Sequence, residues 1–323
     1  MPAGLTNTDQ MLYTGKVPWH RQGIALDAPA TAAEAIAAAN LGWSVVQKPV
    51  YVREESGVFR PVDNKLAIVR QDTNEVFAVL GKGYEPLQNI SAFGFFDDVI
   101  AQGEAIYHTA GSLFGGRRIW ILAKLPEDIT IGNGDKVEPY ILLSNSHDGS
   151  KAGRMQTTPI RVVCWNTLNY AMSRGSGGFY GKHTRNILSK AEDARKELDL
   201  AHAFYQIFAK QADQLLNTKM TVIDVQRYLQ QVYQFKSDKP YADQDHRVVK
   251  AYETTLDLLG HPSNTVGGMA GTAWAAFNAV TYYVDHERVV RGSLEQQDDR
   301  RLDGTWFGVG ADIRQRAYSL LTN

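Results

Sequence analysis

Two patterns of hydrophobic and polar positions divide the chain near residue 185. Between residues 43 and 80, short β-type runs are separated by EESG and QDTN, which are turn-forming compositions. Between residues 105 and 170, further apolar runs follow, and Gly115-Gly116 is typical of a hairpin turn between SLF and RRIWILAKL. The front half of the chain is therefore predicted to form antiparallel strands, beginning with a meander.

Helical signals in the front half are few and local. Thr31 followed by Glu34 is the spacing of a capping box and predicts a short helix ending at Asn40 and Gly42. Apolar residues near 3.6 spacing predict a second helix over residues 90–101. The first 30 residues carry Pro18, Gly23 and Pro29 and are predicted to be an irregular arm.

Helical periodicity dominates after residue 185. A stripe of apolar residues predicts one long helix over residues 186–216 with that stripe buried. The stripe consists of Ile187, Ala191, Ala194, Leu198, Ala201, Tyr205, Phe208, Ala212 and Leu215. Most of the chain up to residue 290 has the same character, with breaks at KSDKPYADQD and GHPSNTVGG.

Strands followed by helices predict an α+β fold: an antiparallel β-sheet with packed helices, followed by a helical C-terminal region. The sheet is expected to be built from residues 43–170. We divide the chain into an N-terminal arm and short helix (1–42), a β-rich core domain (43–184) and a helical region (185–323).

Composition limits the classes of function. The chain has 323 residues, with 34 basic and 35 acidic side chains and a net charge of −1, which argues against coating nucleic acid through bulk positive charge but leaves room for a local basic stripe. No apolar stretch is long enough to span a membrane, and no secretion signal is recognisable. The single cysteine, Cys164, lies in an apolar run, where a cysteine is usually a small hydrophobe, and it excludes an internal disulfide. We expect a cytoplasmic protein, in the host cell cytoplasm if a phage encodes it.

Three segments combine basic residues with glycine or aromatic residues, a composition that suits single-stranded nucleic acid. Residues 111–124 hold a Gly-Gly turn beside two arginines, residues 145–171 hold a basic turn and a strand-to-helix corner, and residues 174–185 hold a glycine-rich basic loop. The candidate nucleic-acid-binding residues are Arg117, Arg118, Lys151, Arg154, Arg161, Trp165, Asn166, Arg174, Lys182 and Arg185. Candidates for base stacking are Phe114, Trp120, Trp165, Phe179 and Tyr180.

Each segment also has a purely structural interpretation. The arginines of residues 111–124 could be solvated on an ordinary amphipathic hairpin, Asn166 could merely cap a helix, and the loop at 174–185 could be a linker. These alternatives stay open.

Catalytic motifs are incomplete. Asp97 and Asp98 are adjacent on a predicted helix, so their side chains diverge, and the run at residues 285–287 lacks the spacing of a zinc-binding helix. The glycine-rich stretches fit neither the P-loop nor the dinucleotide fingerprint. His20 and His147 could each act as a base, but no partner is identifiable. The sequence indicates no cofactor and no metal, and it favours a non-enzymatic function.

Several motifs spread over nearly the whole chain carry a resemblance to a known family. They are Pro18-Trp19-His20 with Gly23, the run Gly83 to Asn89, Gly116-Arg117-Arg118, the runs Ser144 to Gly149 and Arg161 to Leu168, and the C-terminal run from Asn278 through His286 to Gly308. With them the chain resembles the phage/plasmid-like proteins, a domain-of-unknown-function family (DUF 932). The resemblance implies a role in replication, recombination or defence evasion. At the level of fold alone, the order of elements is similar to single-strand annealing proteins of the RecT and Redβ type.

The hypothesis that follows is single-stranded nucleic-acid binding, with DNA annealing or recombination in a phage or plasmid context. The expected partners are single-stranded DNA and further copies of the chain, with no membrane partner. Two alternatives remain. One is a metal-dependent or nucleophilic enzyme acting on nucleic acid through His147-Asp148, and the other is a protein-binding module that blocks a host factor through residues 295–299.

Overall fold

The computed structural model describes residues 11–14, 24–26, 30–94, 103, 105–161, 166–167, 180–181, 194–291, 300, 304 and 308–322. Its strands are β1 (Met11–Thr14), β2 (Ile24–Leu26), β3 (Val45–Arg53), β4 (Phe59–Arg70), β5 (Val76–Gly81), β6 (Ile106–Leu113), β7 (Arg118–Lys124), β8 (Ile129–Ile131), β9 (Asp135–Ser146), β10 (Gly153–Arg161), β11 (Asn166–Thr167) and β12 (Tyr180–Gly181). Its helices are α1 (Ala32–Ala38), α2 (Ala194–Asn217), α3 (Val222–Val232), α4 (His246–Leu258), α5 (Ala273–Tyr282) and α6 (Val309–Thr322). Residues 89–94 are also helical.

The small sheet is an antiparallel meander of β3, β4 and β5, as predicted. Turns at residues 54–58 and 71–75 join its strands, and Gly57 reverses the chain with φ of 85°. The predicted capping box is also present at α1, where the Thr31 hydroxyl accepts a hydrogen bond from the Glu34 amide at 3.3 Å.

The large sheet has the order β11-β10-β9-β7-β6-β1-β2, with β8 beside β9 and β12 beside β10. All its pairs are antiparallel except β1 with β2. The expectation of one sheet from residues 43–170 is thus corrected to two sheets. Residues 11–14 and 24–26, predicted to be irregular, are strands because β1 pairs with β6 and the Thr109 hydroxyl donates to the Leu12 carbonyl at 2.7 Å.

The two faces of the large sheet belong to different cores. Alternating residues on each strand point to opposite faces. The first face, with Tyr107, Ile121 and Ile141, joins the main core together with the helices. The second face carries a separate apolar cluster of Leu113, Trp120, Leu122, Tyr140, Leu142 and Ile160. Both faces are therefore apolar at their centres.

Helix α2 packs on the first face and confirms the predicted long helix from residue 194 onward; residues 186–193 lie outside the described part. From Ala201 to Leu215 its stripe is buried. The Tyr205 hydroxyl accepts hydrogen bonds from the backbone amides of Tyr140 at 2.9 Å and Thr158 at 3.1 Å, and donates to the Tyr140 carbonyl. The neighbouring pair, Pro139 opposite Pro159, has no amide hydrogen to donate. One side chain therefore satisfies backbone groups of two strands.

The helical region is organised around α5, whose residues from Ala273 to Thr281 are all buried. The predicted breaks fall between α3 and α4 and between α4 and α5. A π-helical turn at Tyr283–Glu287 follows α5, and there Asp285 forms a buried ion pair of 2.6 Å with Arg314 of α6. Among the described helices, none combines the length and apolarity that crossing a bilayer requires.

Tyr205→Phe is predicted to lower the free energy of unfolding by about 1–3 kcal/mol, because two buried amides and a carbonyl lose their partner. Tyr228→Phe is the matched control, since its hydroxyl makes one hydrogen bond, to the Ala317 carbonyl. Urea denaturation of both variants measures the difference. Equal losses would show that the Tyr205 hydroxyl has no special role in holding the sheet.

Candidate nucleic-acid interface

Three of the predicted basic residues meet where β7 begins and β9 ends. Arg118 lies opposite Ser146 on β9, and Arg154 of β10 lies opposite Ser144. Residues opposite each other share a face, as do residues two apart on one strand, so both arginines lie on the second face at one end. Lys151 is in the adjoining turn and its amide donates to the Ser146 hydroxyl at 3.2 Å. We call Arg118, Lys151 and Arg154 the basic end.

An aromatic ring and a carboxylate complete the basic end. The guanidinium of Arg118 lies 5.3 Å from the centre of the Phe114 ring and donates to the Ser150 hydroxyl at 3.2 Å. Burial lowers the pKa of Arg118, and the charge of Asp148 raises it. Burial alone would raise the pKa of Asp148, but hydrogen bonds from Ser146 and Ser150 outweigh it and the pKa is lowered. The ionised carboxylate of Asp148 therefore belongs to the basic end together with its three basic residues.

Arg117 does not join the basic end. Its guanidinium forms an ion pair of 2.8 Å with Glu75 at the start of β5 and lies 5.8 Å from the centre of the Phe77 ring. Arg117 lies just before β7 with helical backbone angles, φ of −61° and ψ of −24°, and its contacts differ from those of Arg118. The structure thus assigns Arg117 to the contact between the two sheets.

The remaining candidates are separated from this end or lie outside the described part of the chain. The backbone of Arg161 pairs with that of Asn166 on β11, seven residues along β10 from Arg154, which is about 23 Å away. Trp165, Phe179, Arg174, Lys182 and Arg185 lie outside the described residues, as do His20, Cys164, Asp97, Asp98 and residues 295–299. The backbone of Tyr180, on β12, lies opposite Arg154.

Buried side-chain amides join the small sheet to the large one. The Asn89 amide nitrogen donates to the carbonyls of Leu41 at 3.0 Å and Trp43 at 3.2 Å, and its oxygen is 2.9 Å from His147 Nε2. Gln88 accepts from the Val45 amide and donates to the Val45 carbonyl. The motifs at residues 83–89 and 144–149 therefore build this junction, a role that the sequence did not predict.

His147 belongs to this junction. It is completely buried, and its ring stacks on Phe77 and meets the edge of Trp43 at centre distances of 6.1 Å and 5.3 Å. The structure gives His147 a packing role rather than contact with solvent. No group of three or more histidine, cysteine or acidic residues that could hold a metal occurs among the described residues.

A second polar cluster lies at the opposite end of the second face. The Lys124 ammonium is 2.8 Å from Glu138 and 3.1 Å from Asp128, and the Tyr140 hydroxyl donates to Glu138 at 2.6 Å. Burial would raise the pKa of Glu138, but hydrogen bonds from Lys124 and Tyr140 outweigh it and lower the pKa. The His108 ring meets Tyr140 at 5.0 Å, and burial lowers the pKa of His108 to about 4. This cluster sets one ammonium against two carboxylates and is therefore unsuited to binding a polyanion.

A cavity of about 430 Å³ lies between α2 and the segment that joins β7 to β8. Leu125, Ile129 and Pro139 form its apolar wall, and Asp128 and His202 contribute polar groups. The cavity is on the first face of the sheet, because α2 packs there. It is therefore separate from the basic end.

The match to known proteins covers most of this architecture. The sequence profile of the family described as "Domain of unknown function (DUF932)" matches residues 76–306, from β5 to just before α6. The chain belongs to the DUF932 family. Searches of curated proteins and of solved structures each find no match. In this DUF932 protein the basic end and the junction residues Asn89 and His147 lie inside the matched range. The similarity to single-strand annealing proteins stays a hypothesis.

His108 is predicted to make stability depend on pH. Its pKa is about 4 in the fold, against an ordinary value of 6.5, so the unfolded chain binds more protons between these values. The contribution of His108 to the free energy of unfolding is fully present above pH 6.5. It is lost as the pH drops toward 4, which lowers the free energy of unfolding by up to about 3 kcal/mol. His108→Phe should flatten this part of the profile, measured by denaturation at a series of pH values.

The exposed His202 provides the control. His202→Gln should leave the pH profile as in the parent, because this side chain is open to solvent on α2. A His108→Phe profile that runs parallel to the parent between pH 6.5 and 4 would show that carboxylates alone cause the acid sensitivity.

Proposed function

We propose that the chain binds single-stranded DNA and promotes the annealing of complementary strands, in a phage or plasmid context and in the cytoplasm of the host cell. The observation that carries the proposal is the convergence of Arg118, Lys151 and Arg154 on one end of the second face, with Phe114 beside them. Cations that neutralise phosphates release counterions, which supplies affinity without sequence preference. An aromatic ring next to them can stack on an unpaired base.

The distribution of charge supports a local contact rather than a coat. The net charge is −1, so no long-range positive field attracts DNA, and the basic end must act at short range. A single site of about three cations binds weakly when alone. Several copies of the chain on one strand would raise the effective concentration of each contact, and for this reason the proposal includes a homo-oligomer.

The rigid setting of the basic end also supports a binding role. Arg118 and Arg154 stand on two strands separated by β9, about 10 Å apart across the sheet. Ser146 and Ser150 fix the turn that carries Lys151 through hydrogen bonds to Asp148 at 2.6 Å and 2.9 Å. A preformed arrangement of cations loses little entropy when it binds phosphate.

Arg118→Ala, Lys151→Ala and Arg154→Ala are each predicted to weaken binding of a labelled oligothymidylate and to lower the salt slope of log Kd by about one unit. Fluorescence anisotropy between low and moderate salt gives both numbers. Arg117→Ala is the matched control, since its ion pair with Glu75 already holds its charge, and its slope should equal that of the parent. Equal slopes for all four variants would contradict the assignment.

The chain is also predicted to self-associate and to speed the pairing of complementary strands. Analytical ultracentrifugation at micromolar concentration should show a species larger than one chain, at least with DNA present. Annealing followed by energy transfer between labelled strands should exceed the spontaneous rate without metal, and the strands should stay intact. A strict monomer in both conditions, or strand cleavage, would favour one of the alternative functions.

A further inference from the structure

The β3–β4 hairpin extends beyond the small sheet. β5 pairs only with residues 65–69 of β4, so residues 51–61, which we call the arm, form a two-stranded ribbon. The register shifts between Pro49 and Tyr51, and Asn64 adopts φ of 60° on the facing strand. This irregularity marks the root of the arm. An isolated hairpin with solvent on both faces is marginally stable in water, so its exposed side chains call for another explanation.

The two faces of the arm differ in chemistry. Tyr51 lies opposite Pro61 and Arg53 lies opposite Phe59, which places these four residues on one face. The rings of Tyr51 and Phe59 are 53% and 64% exposed. They are diagonal neighbours, about 7–8 Å apart at their backbones, and Arg53 is adjacent to both, two residues along from Tyr51 and directly opposite Phe59. One face of the arm therefore presents two rings and a cation.

The opposite face of the arm carries an apolar side chain and an arginine that is paired with a carboxylate. Val52 lies opposite Arg60, and the Arg60 guanidinium forms an ion pair of 3.1 Å with Glu54. Arg53, by contrast, has no ion-pair partner within the described part of the chain. Glu55, in the turn of the arm, also has no ion-pair partner in that part, so the arm carries two basic and two acidic residues, and Arg53 is its cation on the face of the two rings.

The arm leaves the body next to the basic end. Leu66, at the root, lies opposite Leu80 of β5. Leu80 packs on Gly149 so closely that a Cβ there would come within 2.8 Å of its Cδ1, and Gly149 also has φ of 72°. Gly149 belongs to the same turn as Lys151. The root of the arm therefore lies near the turn that carries Lys151.

We propose that the face of the arm formed by Tyr51, Arg53 and Phe59 is a second binding site for single-stranded DNA, in which the two rings stack on unpaired bases and Arg53 contacts the intervening phosphate. This inference rests on the proposed function and extends it to a segment that precedes the matched range at residues 76–306. Rings interleaved with a cation suit single strands, because every base has a face to stack while its phosphate carries charge.

The chemistry favours DNA over a second copy of the chain as the occupant. Arg53 lies beside both rings and supplies a charge for a phosphate, and the root of the arm lies near the turn that carries Lys151. A strand that leaves the basic end would continue along the arm, which gives the bases rings to stack on beyond Phe114. The arm would then set the length of DNA that one copy covers.

The experiment uses the full chain and labelled oligothymidylates in an anisotropy titration at low salt. Tyr51→Ala and Phe59→Ala are each expected to weaken binding by about 5- to 100-fold, the range for loss of one stacked base. Phe59→Tyr retains a ring and should restore affinity. The matched controls on the opposite face, Val52→Ala and Arg60→Ala, should bind as the parent does. Melting curves of each variant verify folding.

The outcomes separate this inference from the proposed function. If the parent binds no single strand, both are wrong. If the basic-end variants weaken binding while the arm variants bind as the parent does, the arm inference alone is overturned. If Tyr51→Ala and Phe59→Ala dissociate an oligomer and leave DNA affinity per chain unchanged, the arm is an interface between copies and the inference is again overturned.

Discussion

The position of the small sheet on the large one depends on a few buried amide groups. Asn89 contacts the carbonyls of Leu41 and Trp43 and the ring of His147, and it is almost completely buried. A buried polar group that loses its partner costs more than the hydrogen bond itself contributes, so these contacts enforce one arrangement of the two sheets. Because the arm belongs to the small sheet and the basic end to the large sheet, the position of the arm relative to the basic end depends on this junction.

The two ends of the large sheet carry different combinations of charged residues. At one end, Lys124 pairs with the two carboxylates of Glu138 and Asp128, while the other end brings Arg118, Lys151 and Arg154 together with Asp148. Arg117, although adjacent to Arg118, is paired with Glu75 at the contact between the sheets. A chain with almost no net charge can therefore present a locally positive surface, and the total charge in the sequence is a poor guide to what that surface binds.

Local signals in the sequence predicted local structure well. The capping box at Thr31, the meander and the long helix each depend on neighbours in the chain, and they form as expected. Strands β1 and β2 escaped prediction because they are four and three residues long, and β1 forms by pairing with distant β6 and β2 by pairing with β1. Periodicity cannot report on such segments.

The candidate site was predicted only in part, because some of its contacts join residues that are distant in the chain. Glycine and basic residues indicated the turn that holds Lys151, but the different partners of Arg117 and Arg118, Glu75 and Ser150, are distant in the chain. His147 was a candidate base until its contact with Asn89, 58 positions away in the chain, gave it a packing role. The turn at residues 54–57 was predicted, yet the extent and exposure of the arm follow only from the short length of β5, which leaves residues 51–61 without a third strand among those described.

The most direct test of the central claim, that the arm and the basic end form one DNA-binding surface, is hydrogen exchange of the full chain with and without oligothymidylate. Our account predicts slower exchange in two segments together, residues 51–61 and residues 147–154, with the cluster around Lys124 and Glu138 unchanged. Protection confined to other segments, or no protection under conditions where DNA is bound, would contradict it.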